Sequence, residues 1–219
     1  MNYQALIFDL DGTILDTLGD IRLAINDALK AIEIPLEYSL VKTKSLVGDG
    51  AEALMHRALG DFDTPENFVR LKKEYMPRYE AYQTRHTKPF NGLPVVLKYL
   101  QNKGISLFVC TNKPDELAKE IVGKCYEEGL FKEIHGHIEG SPVKPDPMIV
   151  TYFINKYGLD PKSCLFVGDS VTDLLTAKNA SLPAAIVTWG YGYYKEALLN
   201  EADYVIDKPK ELARFGDSL

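Results

Sequence analysis

From residue 87 onward, short β-branched or aromatic runs alternate with stretches of helical spacing, and this alternation constrains the fold more than any other feature of the chain. Strands separated by helices pair in parallel, with the helices packed on both faces of the sheet. The runs fall at Ile105 to Cys110, Ile134 to Ile138, Cys164 to Val167, Ala184 to Val187 and Tyr204 to Ile206, and Ala5 to Phe8 supplies an opening strand. Helices are expected at Pro94 to Lys103, which stops at Gly104, at Pro114 to Lys124, at Met148 to Tyr157, which ends at Gly158, and at Thr172 to Ala180. The prolines suit first helical turns and the glycines suit helix ends.

Residues 14 to 86 follow a different pattern. Ile21, Ala24, Ile25, Ala28, Leu29 and Ile32 recur at helical spacing, and further helical patterns cover Ser39 to Leu46, Ala51 to Leu59 and Glu66 to Ala81. No strand is expected there. The predicted fold is α/β: a Rossmann-like parallel sheet formed by residues 1–13 and 87–219, with a small helical cap domain, 14–86, inserted after the first strand and rejoining the core near Lys88 to Gly92. The 219 residues suffice for one sizeable core and such a subdomain.

The bulk composition excludes several classes of function. A net charge of −6 argues against nonspecific binding to nucleic acid. No apolar stretch approaches the roughly 20 residues that span a bilayer. The start MNYQALIFDLDG lacks a basic segment followed by an apolar one, so the expected location is cytoplasmic, as monomer or homodimer. Cys110, Cys125 and Cys164 lack metal-binding or CxxC spacing and read as reduced core thiols.

In open α/β sheets the ligand site lies beyond the carboxyl ends of the strands. The first strand runs into Asp9 and Asp11, whose side chains face the same way on an extended segment, so their repulsion calls for a bound cation or a proton. Thr111-Asn112 ends another strand, Gly168-Asp169-Ser170 a third, and Asp173 lies four residues beyond Asp169. Lys144 stands in the loop VKPDP before a helix. Carboxylates, a hydroxyl, an amide and a lysine at one sheet edge suit phosphoryl transfer assisted by Mg²⁺, which prefers hard oxygen ligands. One aspartate can attack phosphorus while lysine and hydroxyl hold the equatorial oxygens, and Asp11 can pass a proton to the leaving oxygen. Taken singly, each group has a plainer use: Thr111-Asn112 can cap the next helix, and Asp169 with Asp173 can complement a helix dipole.

In this order, Asp9-Leu10-Asp11-Gly12-Thr13, Thr111-Asn112, Lys144 and Gly168-Asp169-Ser170-Val171-Thr172-Asp173 resemble the four motifs of the haloacid dehalogenase (HAD) superfamily, over nearly the whole chain. The resemblance implies that Asp9 is the nucleophile and a metal ligand, and that Asp11 is the general acid/base, its carbonyl also reaching the metal. It further implies that Thr111 and the Asn112 backbone bind the phosphoryl group, that Lys144 balances charge, and that Asp169 ligates Mg²⁺ with Asp173 in support. An acid at position 11 favours a phosphatase over the dehalogenase branch.

The segment VGDGAEALMHRAL resembles the cap of the phosphoglycolate phosphatases, and TNKP is typical of the same branch. By that resemblance Gly48, Asp49 and Gly50 meet the substrate, whereas the residues alone read equally as an anion-receiving helix start or a flexible turn. A small phosphorylated metabolite, 2-phosphoglycolate first, is the expected substrate. A pyrophosphatase, a sugar phosphatase and β-phosphoglucomutase share the same machinery. A phospho-receiver signalling module uses similar residues, but it needs only about half this length and has no reason for a helical insertion. Lys42, Lys44, His56 and Arg57 read as solvated helix residues, and His135 with His137 as structural histidines. Tyr191, Tyr193 and Tyr194 read as core or rim packing.

Overall fold

The structure, a computed structural model, describes residues 3–192 and 196–216. In chain order the elements are β1 (Ala5–Phe8), β2 (Leu15–Asp16), α1 (Leu18–Ala31), α2 (Leu40–Lys44), α3 (Ala51–Leu59), α4 (Pro65–Tyr82) and β3 (Lys88–Pro89). They continue with α5 (Leu93–Asn102), β4 (Ser106–Pro114), α6 (Asp115–Cys125), β5 (Glu133–His137), α7 (Met148–Tyr157), β6 (Cys164–Gly168), α8 (Val171–Asn179), β7 (Ala184–Val187), α9 (Glu196–Glu201) and β8 (Tyr204–Ile206).

Six strands form one parallel sheet in the order β5-β4-β1-β6-β7-β8. The central strands are apolar without interruption because both of their faces are covered. Leu6, Phe8, Leu107, Val109, Leu165 and Val167 pack against α5 and α6 on one face. Ala5, Ile7, Phe108, Cys110, Cys164 and Phe166 pack against α7 and α8 on the other. Since β1 lies between β4 and β6 with Phe8 level with Val109 and Val167, the residues just past each strand end meet at one edge. Asp9 begins that edge, its N–H donating to the Val167 carbonyl at 2.9 Å.

A third apolar cluster belongs to the helices α1, α3 and α4, through Ile21, Ala24, Ile25, Ala28, Leu54, Met55, Leu71, Tyr75 and Tyr79, and it touches the sheet layer at Leu117 of α6. One expectation fails in this stretch. Leu15–Asp16 is a strand, paired antiparallel with Lys88–Pro89, so the two chain segments that lead to and from the helices run as a narrow ribbon. Two residues are too few to carry a strand period in sequence. Strand β4 also runs on through Thr111, Asn112 and Lys113 where a stop at Cys110 is expected; its pairing with β5 shifts between Cys110 and Pro114.

Candidate active site

Two of the sequence-predicted acids converge on the ammonium group of a third predicted residue, Lys144. The Lys144 Nζ lies 2.7 Å from Asp9 Oδ1 and 2.7 Å from Asp173 Oδ1, and its side chain is 2% exposed. Asn112 fixes the lysine backbone from two sides: its amide Nδ2 donates to the Lys144 carbonyl at 3.1 Å, and its Oδ1 accepts from the Lys144 N–H at 2.7 Å. The Asn112 side chain is thus committed to positioning Lys144. Burial alone would depress the lysine, but Asp173 and Asp9 outweigh it and keep the group charged.

Asp173 has a double task. Its Oδ2 accepts from Asp169 N–H, Ser170 N–H and the Ser170 hydroxyl at 3.1, 3.0 and 2.7 Å, which closes the capping box at the start of α8. Its other oxygen faces Lys144. Gly168 permits this close approach, since a Cβ there would collide with the Asp173 side chain. The helix-capping use of Asp173 and its place in the site are therefore both realised.

Asp169 is held by three donors: the Thr13 hydroxyl at 3.2 Å to Oδ1, and Tyr191 N–H at 2.6 Å and Gly192 N–H at 3.2 Å to Oδ2. Tyr191 was expected only to pack, yet it ties this carboxylate to the start of α1. Its hydroxyl accepts from Thr17 N–H at 2.7 Å and Leu18 N–H at 3.0 Å, and donates to Asp16 Oδ1 at 2.8 Å. Tyr193 and Tyr194 lie outside the described residues.

Asp9, Asp169 and Asp173 each place a carboxylate oxygen within 4.8 Å of the others. Burial lifts the Asp9 carboxyl to about 6 despite the Lys144 ammonium beside it, and the Asp173 charge adds to the lift. Burial lifts Asp169 further, to about 8, with repulsion from Asp173 and Asp9 added. Two buried acids driven toward their neutral forms mark a place short of positive charge, and an all-oxygen donor set suits a hard divalent cation. Among the described residues this is the one cluster of acids, histidines or cysteines close enough to hold a metal. His135 instead bonds Glu133 at 2.8 Å, and His137 bonds the Ser141 carbonyl at 3.2 Å.

Asp11 stands beside this cluster and is paired with Lys113, whose Nζ lies 3.2 Å from Oδ1 and 3.4 Å from Oδ2. Lys113 also bonds the Tyr79 hydroxyl of α4. In the sequence Lys113 enters only within TNKP, with no role of its own, and Tyr79 only as a position of a helical pattern. The signal was present, because a lysine in a strand whose neighbours are buried requires a partner. Thr111 lies against the same cavity, its hydroxyl accepting from the Lys113 N–H at 3.3 Å while its own proton remains to donate.

The cavity over these residues measures about 70 Å³ and is walled on the helical side by Ile21, Val47, Leu54, Tyr75, Met76 and Tyr79. Gly48 and Gly50 line it as well, both at positive φ, and Gly50 approaches the Asn112 carbonyl. Asp49 does not line it. Its carboxylate pairs with Arg57 and accepts from the Thr172 hydroxyl at 2.8 Å, joining the helical segment to α8. Lys42, Lys44, His56 and Arg57 are absent from the lining; His56 pairs with Asp63 at 2.9 Å and stacks on Phe68.

A model of the haloacid dehalogenase-like hydrolases matches residues 6–187. The chain belongs to that family. A phosphoglycolate phosphatase of Aquifex aeolicus (strain VF5) is 31% identical, over 98% of this chain and 97% of its own. An N-acetylmuramic acid 6-phosphate phosphatase of Pseudomonas aeruginosa is 30% identical, over 97% of this chain and 94% of its own. The solved structure of a predicted phosphoglycolate phosphatase from Haemophilus somnus superposes with a TM-score of 0.91 at 29% identity, covering 99% of each chain. This HAD-like hydrolase is a phosphatase, and the receiver-module alternative is set aside. No helix among the described residues is long and apolar enough to cross a membrane.

Proposed function

We propose that this phosphatase hydrolyses a short phosphate monoester, with 2-phosphoglycolate the first candidate, by way of a phosphoryl group carried on Asp9. The observation that carries the reading is the shared Lys144 ammonium, 2.7 Å from both Asp9 and Asp173 in a buried pocket. A lysine held there neutralises a carboxylate that must approach an anionic ester. Asp9 attacks phosphorus, and the ester oxygen leaves with a proton from Asp11. Asp11 then accepts a proton from the water that cleaves the aspartyl phosphate, so the acid and the base are one residue. The Thr111 hydroxyl and the Asn112 N–H donate to the phosphoryl oxygens, the Asn112 side chain being engaged with Lys144.

Asp9, Asp169 and Asp173 are the side chains that would hold Mg²⁺, with the Asp11 carbonyl as a further ligand. Bound there, the ion would offset the charge of the carboxylates and the phosphoryl group. Residues 14–86 act as a cap over a core of 1–13 and 87–219, with Gly48 and Gly50 at its contact with the substrate.

The phosphoglycolate phosphatase of Aquifex aeolicus, 31% identical over 98% of this chain, supports a short ester. The test is turnover of a set of small phosphate esters by the purified chain. Hydrolysis that requires Mg²⁺, stops with a chelator and vanishes in Asp9→Asn is expected. Turnover that survives the Asp9→Asn substitution contradicts the reading, and a requirement for a bisphosphate primer points to a mutase instead.

A further inference from the structure

The site holds two lysines in unequal circumstances, and of the two Lys113 lines the cavity. Lys144 has a carboxylate at 2.7 Å on each of two sides. Lys113, with a side chain 3% exposed, has the single carboxylate of Asp11, at 3.2 Å. An ammonium carries three donors. Its other partner is the hydroxyl of Tyr79, over whose ring the Nζ sits 4.4 Å from the centroid. Burial holds the Tyr79 phenol well above its ordinary value, with the Asp11 and Asp20 charges adding to the effect, so the hydroxyl keeps its proton. An oxygen that accepts from the lysine still has that proton to give.

Of the remaining side chains of the helical wall, Ile21, Val47, Leu54 and Met76 offer no donors and Tyr75 adds a neutral hydroxyl. Among the described lining residues Lys113 is the one cation, so an anionic group on the leaving half of the substrate finds its charged donor there, with the Tyr79 hydroxyl bonded to it. Position supports the match. Asp11 serves the ester oxygen, and Lys113 is the immediate neighbour of Asp11. A carboxylate borne by the carbon next to that oxygen comes within its reach.

We infer that Lys113 and Tyr79 form a subsite for the carboxylate of a phosphorylated short 2-hydroxy acid. This rests on the phosphatase reading above and names what selects its substrate. The subsite draws on both layers of the molecule, since Lys113 ends β4 and Tyr79 belongs to α4. An ester lacking the carboxylate leaves the lysine with only Asp11 and the Tyr79 hydroxyl as partners.

The experiment compares kcat/KM for 2-phosphoglycolate and for 2-hydroxyethyl phosphate, which is similar in size and lacks the carboxylate. Wild type, Lys113→Met and Tyr79→Phe are measured with Mg²⁺, and thermal melts check folding. Wild type is expected to prefer the acid. Lys113→Met is expected to lose on the order of 10- to 100-fold more on the acid than on the neutral ester. Tyr79→Phe, which keeps the buried ring, shifts the same ratio several-fold, chiefly through KM. Equal losses on both esters would mean that Lys113 acts only through Asp11 and would overturn the subsite. Equal use of both esters by wild type overturns it as well, while the phosphatase reading stands. Failure to cleave either ester removes 2-phosphoglycolate as the proposed substrate and this inference with it.

Discussion

Lys144 is fixed at both ends, by Asn112 at its backbone and by Asp9 and Asp173 at its ammonium. The Asp9 carboxylate thus meets a charge held in place. Asp11 is held differently: among the charged groups of the described residues Lys113 alone pairs with it, and its proposed work is to move a proton. Asp11→Asn is expected to lower kcat by about 10²- to 10⁴-fold with little change in KM, because the amide keeps the shape and loses the proton. Steady-state kinetics on any accepted ester reads this directly. The residues that a reader of the chain can find are those expected at strand ends, Asp9, Asp11, Thr111, Asn112 and Asp169, with Asp173 and Lys144 carried by the motifs around them. Lys113 escapes notice because it follows two polar residues already assigned to that strand end. Tyr191 escapes because the atoms it holds, at Asp16 to Leu18 and Asp169, are remote in sequence.

Among elements, α1 is joined to the returning segment by an acid on its own apolar face. Asp20 is fully buried, and its carboxylate accepts from His86 N–H at 2.9 Å, Thr87 N–H at 2.9 Å and the Thr87 hydroxyl at 2.9 Å. Asp20→Ala strands those donors and is expected to cost about 2–4 kcal/mol in chemical denaturation; a cost below about 0.5 kcal/mol would show the clasp to be idle. The helix is readable from its apolar spacing. Its clasp is not, because backbone N–H groups some 66 residues away leave no sequence signature. A second tie joins β5 to α7. Burial favours a raised Glu133, but hydrogen bonds from Tyr157, Lys156, His135 and Tyr152 prevail and hold it at about 2. A depressed carboxyl contributes its stability in full above its unfolded value near 4.5 and loses it as pH falls toward 2. Glu133→Gln is therefore expected to flatten the acid limb of the stability curve between those values, as followed by denaturation at a series of pH values. An unchanged acid limb would exclude Glu133 as its source.

For the molecule as a whole, one edge of the parallel sheet gathers Asp9, Asp11, Asp169 and Asp173 with Lys113 and Lys144, and the helical group walls one side of the cavity. The ribbon of β2 and β3 and the Asp49–Thr172 contact join the two. The net charge of −6 places an anion-binding site within an acidic protein, so the local positive charge at Lys113 and Lys144 must do what the overall field does not. The central claim is that Asp9 carries the phosphoryl group. It is tested most directly by acid-quenching Asp11→Asn during turnover of an accepted ester and locating added phosphate by peptide mass spectrometry. The account predicts a phosphoryl group on the peptide containing Asp9, at the Asp9 side chain. Continued hydrolysis with that peptide never modified would contradict it.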